Sequence, residues 1–161
     1  MRHDSDAWER RVADIWQAAS DGPRTISQID ALASERPADD PIATYERACA
    51  RDFAGEEAEA EALYRRALAL GLRTVDRRRT VEATVQLAST LRLLNRPEEA
   101  IFVIDRIDVQ VLEDERDWLA AFRSLALLGA GRAEDAAREA LLALSMHLTQ
   151  YAGAVQRYAG G

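Results

Sequence analysis

The stretch GEEAEAEALYRRALALG, Gly55 to Gly71, alternates Glu and Ala before a short apolar run. Alternation is the period of a strand, yet Glu and Ala are poor strand residues and good helix formers. Taken at 3.6 residues per turn, Ala60, Leu63, Tyr64, Ala67 and Leu68 form one continuous apolar stripe. Glu61 and Arg65 stand four apart on the outer side, in the order that favours a helical ion pair worth about 0.2–0.5 kcal/mol. The spacing predicts an amphipathic helix.

The pattern recurs. NRPEEAIFVIDRI from Asn95 and GRAEDAAREALLAL from Gly131 each open with a residue that tolerates the left-handed conformation and carry Ala five places on. The matching sets are Gly55, Ala60, Tyr64, Ala67; Asn95, Ala100, Ile104, Ile107; and Gly131, Ala136, Ala140, Ala143. Two short antiparallel helices that touch explain it. Gly or Asn takes the left-handed turn that stops the first helix, and small Ala in the second lets the backbones approach. The first helices are YERACARDFA, TVEATVQLASTLRLL and DWLAAFRSLALLGA. Turn residues stand 40 and 36 positions apart, so the unit is a helical hairpin, and such units bury their apolar faces only by stacking.

The remaining segments are also helical in period. Trp8, Val12, Ile15, Trp16 and Ala19 share one face of a first helix that ends near Asp21-Gly22-Pro23. Thr25 is the expected N-cap of a second helix, with Ile26, Ile29, Leu32 and Ala33 inward and Arg36-Pro37 closing it. A third runs from about Pro41 to Ala54. No run of β-branched and aromatic residues lies between hairpin turns, so the expected fold is all-α.

These residues resemble tetratricopeptide repeats, most closely in ACARDFAGEEAEAEALYRRALALG. YERACARDFAGEEAEAEALYRRALALGL followed by QLASTLRLLNRPEEA is similar to a group of small stand-alone bacterial tetratricopeptide proteins. The resemblance implies a right-handed α-solenoid of stacked hairpins with eight or nine helices in a single domain. Residues 1–40 form a divergent leading pair, 41–72, 73–109 and 110–147 the three repeats, and 148–161 a capping helix. The sequence departs from the family pattern at Asn95, where Gly is usual, and at Ala140, where an aromatic is usual.

Composition narrows the function. The chain has 161 residues and a formal charge of -7, with every basic residue Arg, so a nucleic-acid backbone is repelled. The charged opening MRHDSDAWERRVADIW and the lack of a long apolar run predict a cytoplasmic protein with no membrane span, and the single cysteine, Cys49, suits a reducing compartment. His3 and His147 lie at opposite ends and form no metal-ligand spacing. Cys49 has no base near it in sequence, no phosphate loop is present, and Glu56-Glu57 and Glu98-Glu99 sit in first turns of helices, where they complement the helix dipole. No cofactor, metal or catalytic residue is expected.

What remains is the face that the first helices turn toward a groove in a stack of this kind. It comprises Ile42, Tyr45, Glu46, Cys49, Asp52 and Phe53; then Glu82, Val85, Gln86, Ser89, Arg92 and Leu93; then Trp118, Ala121, Phe122 and Leu125. Gln86, Ser89 and Arg92 are the expected hydrogen-bonding groups for a protein or peptide segment, and Phe53, Trp118 and Phe122 the apolar anchors. The structural alternative makes the aromatics core, covered by terminal helices. Chaperone-binding members of the family grip a carboxylate with Lys and Asn; this chain has no Lys, and its only Asn is the turn residue Asn95. The expected function is a non-catalytic protein-binding module, with homodimerisation through the same surface as the alternative.

If Ala60, Ala100 and Ala136 are the close contacts, replacing any of them by Leu overpacks its hairpin and costs about 1–3 kcal/mol in urea melts, whereas Ala58→Leu is tolerated. Equal stability of Ala60→Leu and wild type would refute the register.

Overall fold

The computed structural model describes residues 2–160; the side chain of His3 lies outside those described. Ten helices and no strand occur among the described residues. They are α1 (Arg2–Gln17), α2 (Gly22–Ala33), α3 (Pro41–Ala54), α4 (Glu57–Ala69), α5 (Leu72–Val75), α6 (Arg77–Leu93), α7 (Pro97–Asp105), α8 (Glu113–Gly129), α9 (Ala133–Ser145) and α10 (Ala152–Gly160). The helix beyond the expected eight or nine is α5, a single turn. Gly71 at φ 89° ends α4, and buried Leu72 pins the turn that follows.

Three helices begin in the same way. Asp21, Asp40 and Asp76 each accept a bond from the backbone N–H three residues on, at 2.8, 2.9 and 2.9 Å. Four residues on, Thr25, Thr44 and Thr80 each donate their hydroxyl to the same aspartate's carbonyl, at 2.7, 2.8 and 2.8 Å. Thr25 is therefore not the N-cap of α2. Asp21 holds that place because its carboxylate reaches the orphan N–H of Arg24, while Thr25 is buried inside the first turn.

The three repeat turns share one geometry. Gly55, Asn95 and Gly131 have φ of 77°, 60° and 75°. At each, the following N–H reaches back to the carbonyl five residues earlier: Glu56 to Arg51, Arg96 to Leu91 and Arg132 to Leu127, all at 2.9 Å. The turn residue's own N–H bonds the next carbonyl along, at 3.1, 3.0 and 3.0 Å. Two orphan carbonyls are closed each time, which is the Schellman arrangement. Beyond the turns Ala60, Ala100 and Ala136 are 0%, 0% and 2% exposed, as a close helix contact requires. Tyr64 and Ile104 are buried too, but Ala140, at the equivalent position of α9, is exposed.

The chain divides into two compact units, Met1–Ala83 and Thr84–Gly161, with the boundary inside α6. In the first, α3 packs between α2 and α4, and a cluster of Trp8, Val12, Leu32, Ala33 and Ala43 gathers Ile15, Trp16 and Ile42 around it. The Trp8 indole donates to the Leu32 carbonyl at 3.0 Å, and Arg51 clamps Asp30 of α2 with two bonds of 2.7 Å. Gly22 at the start of α2 has no room for a side chain, since a Cβ there would lie 2.8 Å from Ala54 Cβ and 2.9 Å from its Cα. In the second unit α8 packs against α7 and α9, and α10 against α9. Arg123 of α8 bonds both Asp105 of α7 and Glu139 of α9, and these carboxylates hold its pKa above the ordinary value.

Two kinds of glycine follow. Gly131→Ala has free space and meets only backbone strain, costing about 1–2 kcal/mol. Gly22→Ala drives a methyl into the Ala54 backbone and costs about 1–3 kcal/mol through displacement of α2. Thermal melts of both, with a structure of Gly22→Ala, check this: only Gly22→Ala moves a helix.

Candidate functional site

Counting back from the left-handed residue aligns the first helices of the repeats. Two places before it stand Phe53, Leu93 and Gly129; three before, Asp52, Arg92 and Leu128; six before, Cys49, Ser89 and Leu125; nine before, Glu46, Gln86 and Phe122. This spacing puts one column on each of α3, α6 and α8. The α3 column is acidic and aromatic, the α6 column polar and the α8 column apolar.

In the first unit much of the α3 column is already occupied. Tyr45 and Glu46 are 7% and 4% exposed, so this part of the expected groove lining is interior. Tyr45 bonds Glu82 at 3.1 Å with its ring against Tyr64. The Glu46 carboxylate accepts the Trp16 indole N–H at 2.8 Å and the Arg79 Nε–H at 3.2 Å. Arg79 also reaches Glu9 at 2.6 Å and Asp76 at 3.0 Å. Burial pushes the Glu46 carboxyl upward, opposed by the indole and the guanidinium. For Arg79, burial would lower the pKa, but the bonds to Glu9 and the Glu46 charge outweigh it.

Cys49 and Asp52 lie beneath the same surface, joined by α4: the Tyr64 hydroxyl is 3.6 Å from Cys49 Sγ and 3.3 Å from Asp52 Oδ2. Burial first, then the Glu46 charge, push the Cys49 thiol up to about 12, so it is protonated and a poor nucleophile at neutral pH. Phe53 is 49% exposed, with Trp16 edge-on at 6.1 Å. Trp16, Glu9 and Arg79 were not among the expected site residues. The signal for Trp16 was its indole N–H, which needs an acceptor when a tryptophan lies on an inward face.

The second unit carries the open surface. On α6, Gln86, Ser89 and Arg92 are partly buried and Leu93 is 55% exposed. On α8, Trp118 and Phe122 are partly buried, and Leu125 and Leu128, a turn apart, are 42% and 54% exposed. Trp118 and Phe122, expected as anchors with Phe53, thus lie deeper than the leucines beyond them on α8. Leu128 was missed because a position near a helix end reads as part of the turn. The face offers apolar area with one guanidinium and small hydrogen-bonding groups.

Among the described residues no three of His, Cys, Asp and Glu are placed to hold a metal ion, and no helix is long and apolar enough to cross a membrane. His147 bonds Asp117 at 2.9 Å on the surface. The hollow lined by Gly131 to Asp135 is the α8–α9 turn, where Arg132 bonds Asp135 at 2.9 Å.

A family model described as Tetratrico peptide repeat matches residues 41–161. No curated protein and no solved structure matches the chain.

The Arg79 network is testable apart from any partner. Arg79→Met leaves the Glu46 carboxylate buried without its guanidinium and costs about 3–5 kcal/mol, part of which Glu46→Gln in the same chain restores. Losing the cation raises the folded Glu46 pKa further above its ordinary 4.5. The folded state then binds more protons than the unfolded, so stability falls as pH rises from that value. The Arg79→Met deficit therefore shrinks on acidification in urea melts; a deficit independent of pH would exclude Glu46 as its cause.

Proposed function

The chain belongs to the tetratricopeptide repeat family, and from that premise we propose that it is a non-catalytic interaction module whose first-helix face holds a protein or peptide segment. The observation that carries this reading is the exposed apolar run on α8 and α6, with Leu93, Leu125 and Leu128 each more than 40% exposed. Large apolar side chains on these first helices, left in water in the unit that holds partly buried Trp118 and Phe122, have the makeup of an interface centre. Gln86 and Ser89, in the same unit, supply backbone-directed hydrogen bonds. A second copy of the chain on the same surface is the alternative occupant.

The experiment is affinity capture from lysate of the source organism with wild type and with Leu125→Glu/Leu128→Glu, and light scattering on the same samples. Exposed changes of this kind leave stability within about 0.5 kcal/mol per site. A protein bound by wild type and lost by the double variant, at equal melting temperature, supports the reading. Equal capture by both overturns this surface, and a two-chain mass abolished by the double variant assigns it to the homodimer.

A further inference from the structure

α10 is the least secured helix of the second unit. None of its residues is buried, and its inner side, against α9, is formed by half-buried Ala152, Ala154, Val155 and Ala159. Gln156 adds a bond of 3.2 Å to the Ser145 hydroxyl and lies 3.9 Å from Met146 Sδ. Three alanines and a valine remove little apolar surface from water, and a helix of nine residues does not hold its shape in water by itself. α10 is therefore helical only where a neighbour supports it.

The turn that folds it back is strained. Residues 146–151, MHLTQY, join the two helices, and Tyr151 at the entry to α10 has φ 65°. Its carbonyl accepts the first bonds of α10, from the Ala154 and Val155 N–H groups at 3.0 and 3.1 Å, so the helix starts from a left-handed tyrosine, a conformation that only Gly adopts freely. MHLTQY itself holds neither Gly nor Pro, and α9 can propagate through it without a new nucleus. Opening the turn thus frees Tyr151 from the left-handed region and joins α9 to α10 as one helix, Ala133 to Gly160, which carries α10 away from its own α9. The opening gives up the bond of 2.9 Å between His147 and Asp117, a surface contact that contributes little in water.

A strained hinge of this length between a helix and its docking face invites exchange between copies. We propose that two copies of this chain exchange α10, each opening at residues 146–151 and laying its α10 on the α9 of the other. The contacts between α9 and α10 are remade across the pair, both tyrosines relax, and the two hinges come together, covering Met146 and Tyr151, which are 68% and 79% exposed in the single chain. Loss of independent motion opposes the pairing, so concentration decides it. The arrangement is two-fold and closes on itself, with no growth beyond two chains. Nothing in it depends on what the first-helix face binds.

The test is the mass of the full chain by light scattering over a concentration series, with cross-linking on the same samples. Wild type should pass from one chain to two as concentration rises. Tyr151→Gly, which takes the turn without strain, should weaken the pairing about tenfold for each of the two hinges. Leu125→Glu/Leu128→Glu should pair like wild type, unlike a dimer formed through the first-helix face. Met146→Cys and Gln156→Cys mark the two sides of the α9–α10 contact at exposed positions, while Cys49, its thiol protonated at neutral pH, stays in place. The two single variants, mixed at high concentration and treated with a short bis-maleimide, should form a covalent pair. A double variant diluted to single chains should close within one chain, and wild type should do neither. A mass of one chain throughout overturns the exchange, as does a two-chain mass lost in Leu125→Glu/Leu128→Glu or one in which the mixed variants do not join. Equal pairing of Tyr151→Gly and wild type overturns the role of the strained turn.

Discussion

Each hairpin depends on one residue held in the left-handed conformation. A helix that ends leaves carbonyls without donors, and burial against a second helix keeps water from supplying them. At Gly55, Asn95 and Gly131 the chain answers with the same pair of backward bonds, from the turn N–H and the one after it. That geometry reverses the chain within about two residues and leaves the helices too close for a large side chain, so the alanine five places on is a consequence of the turn. Where the contact matters it is complete: Ala60 and Ala100 have no exposed surface.

The aspartate caps perform the complementary task at helix starts. A carboxylate bonds an orphan N–H, and a buried threonine hydroxyl four residues on returns to the aspartate's carbonyl, so both polar groups of the threonine's neighbourhood are satisfied in the interior. With these ends secured, side chains at the middle of each helix are free to differ between repeats. Hence the column of equivalent positions can read Glu46, Gln86, Phe122 and Asp52, Arg92, Leu128 without disturbing the hairpins that carry it.

The two units use that freedom differently. In the first, charges on the α3 column are turned inward and neutralised, with Arg79 serving Glu9, Glu46 and Asp76 and Trp16 completing the Glu46 shell. Such a network adds little net stability over apolar packing, but removal of one member leaves a buried charge, so it enforces one arrangement of α1, α3 and α6 in that unit. In the second, Leu93, Leu125 and Leu128 are exposed, and among the described residues the Arg92 Nε has no hydrogen-bond partner.

The amino-acid sequence alone determined the helices, the turn residues and the close alanines, because each follows from local rules: a period, a left-handed preference and a small side chain at a set interval. The Asp-x-x-x-Thr starts at Asp21, Asp40 and Asp76 are equally local, but the sequence reading passed over them and put the cap at Thr25, one turn too late. Tertiary structure decided which of the matched positions face water. Glu46 and Arg92 read alike as polar groove residues; Glu46 is interior because Trp16 and Arg79, 30 and 33 residues away, bring it an indole N–H and a guanidinium, whereas among the described residues no acid is paired with Arg92. The pairing of distant charges depends on where whole helices come to rest, and no interval along the chain encodes that.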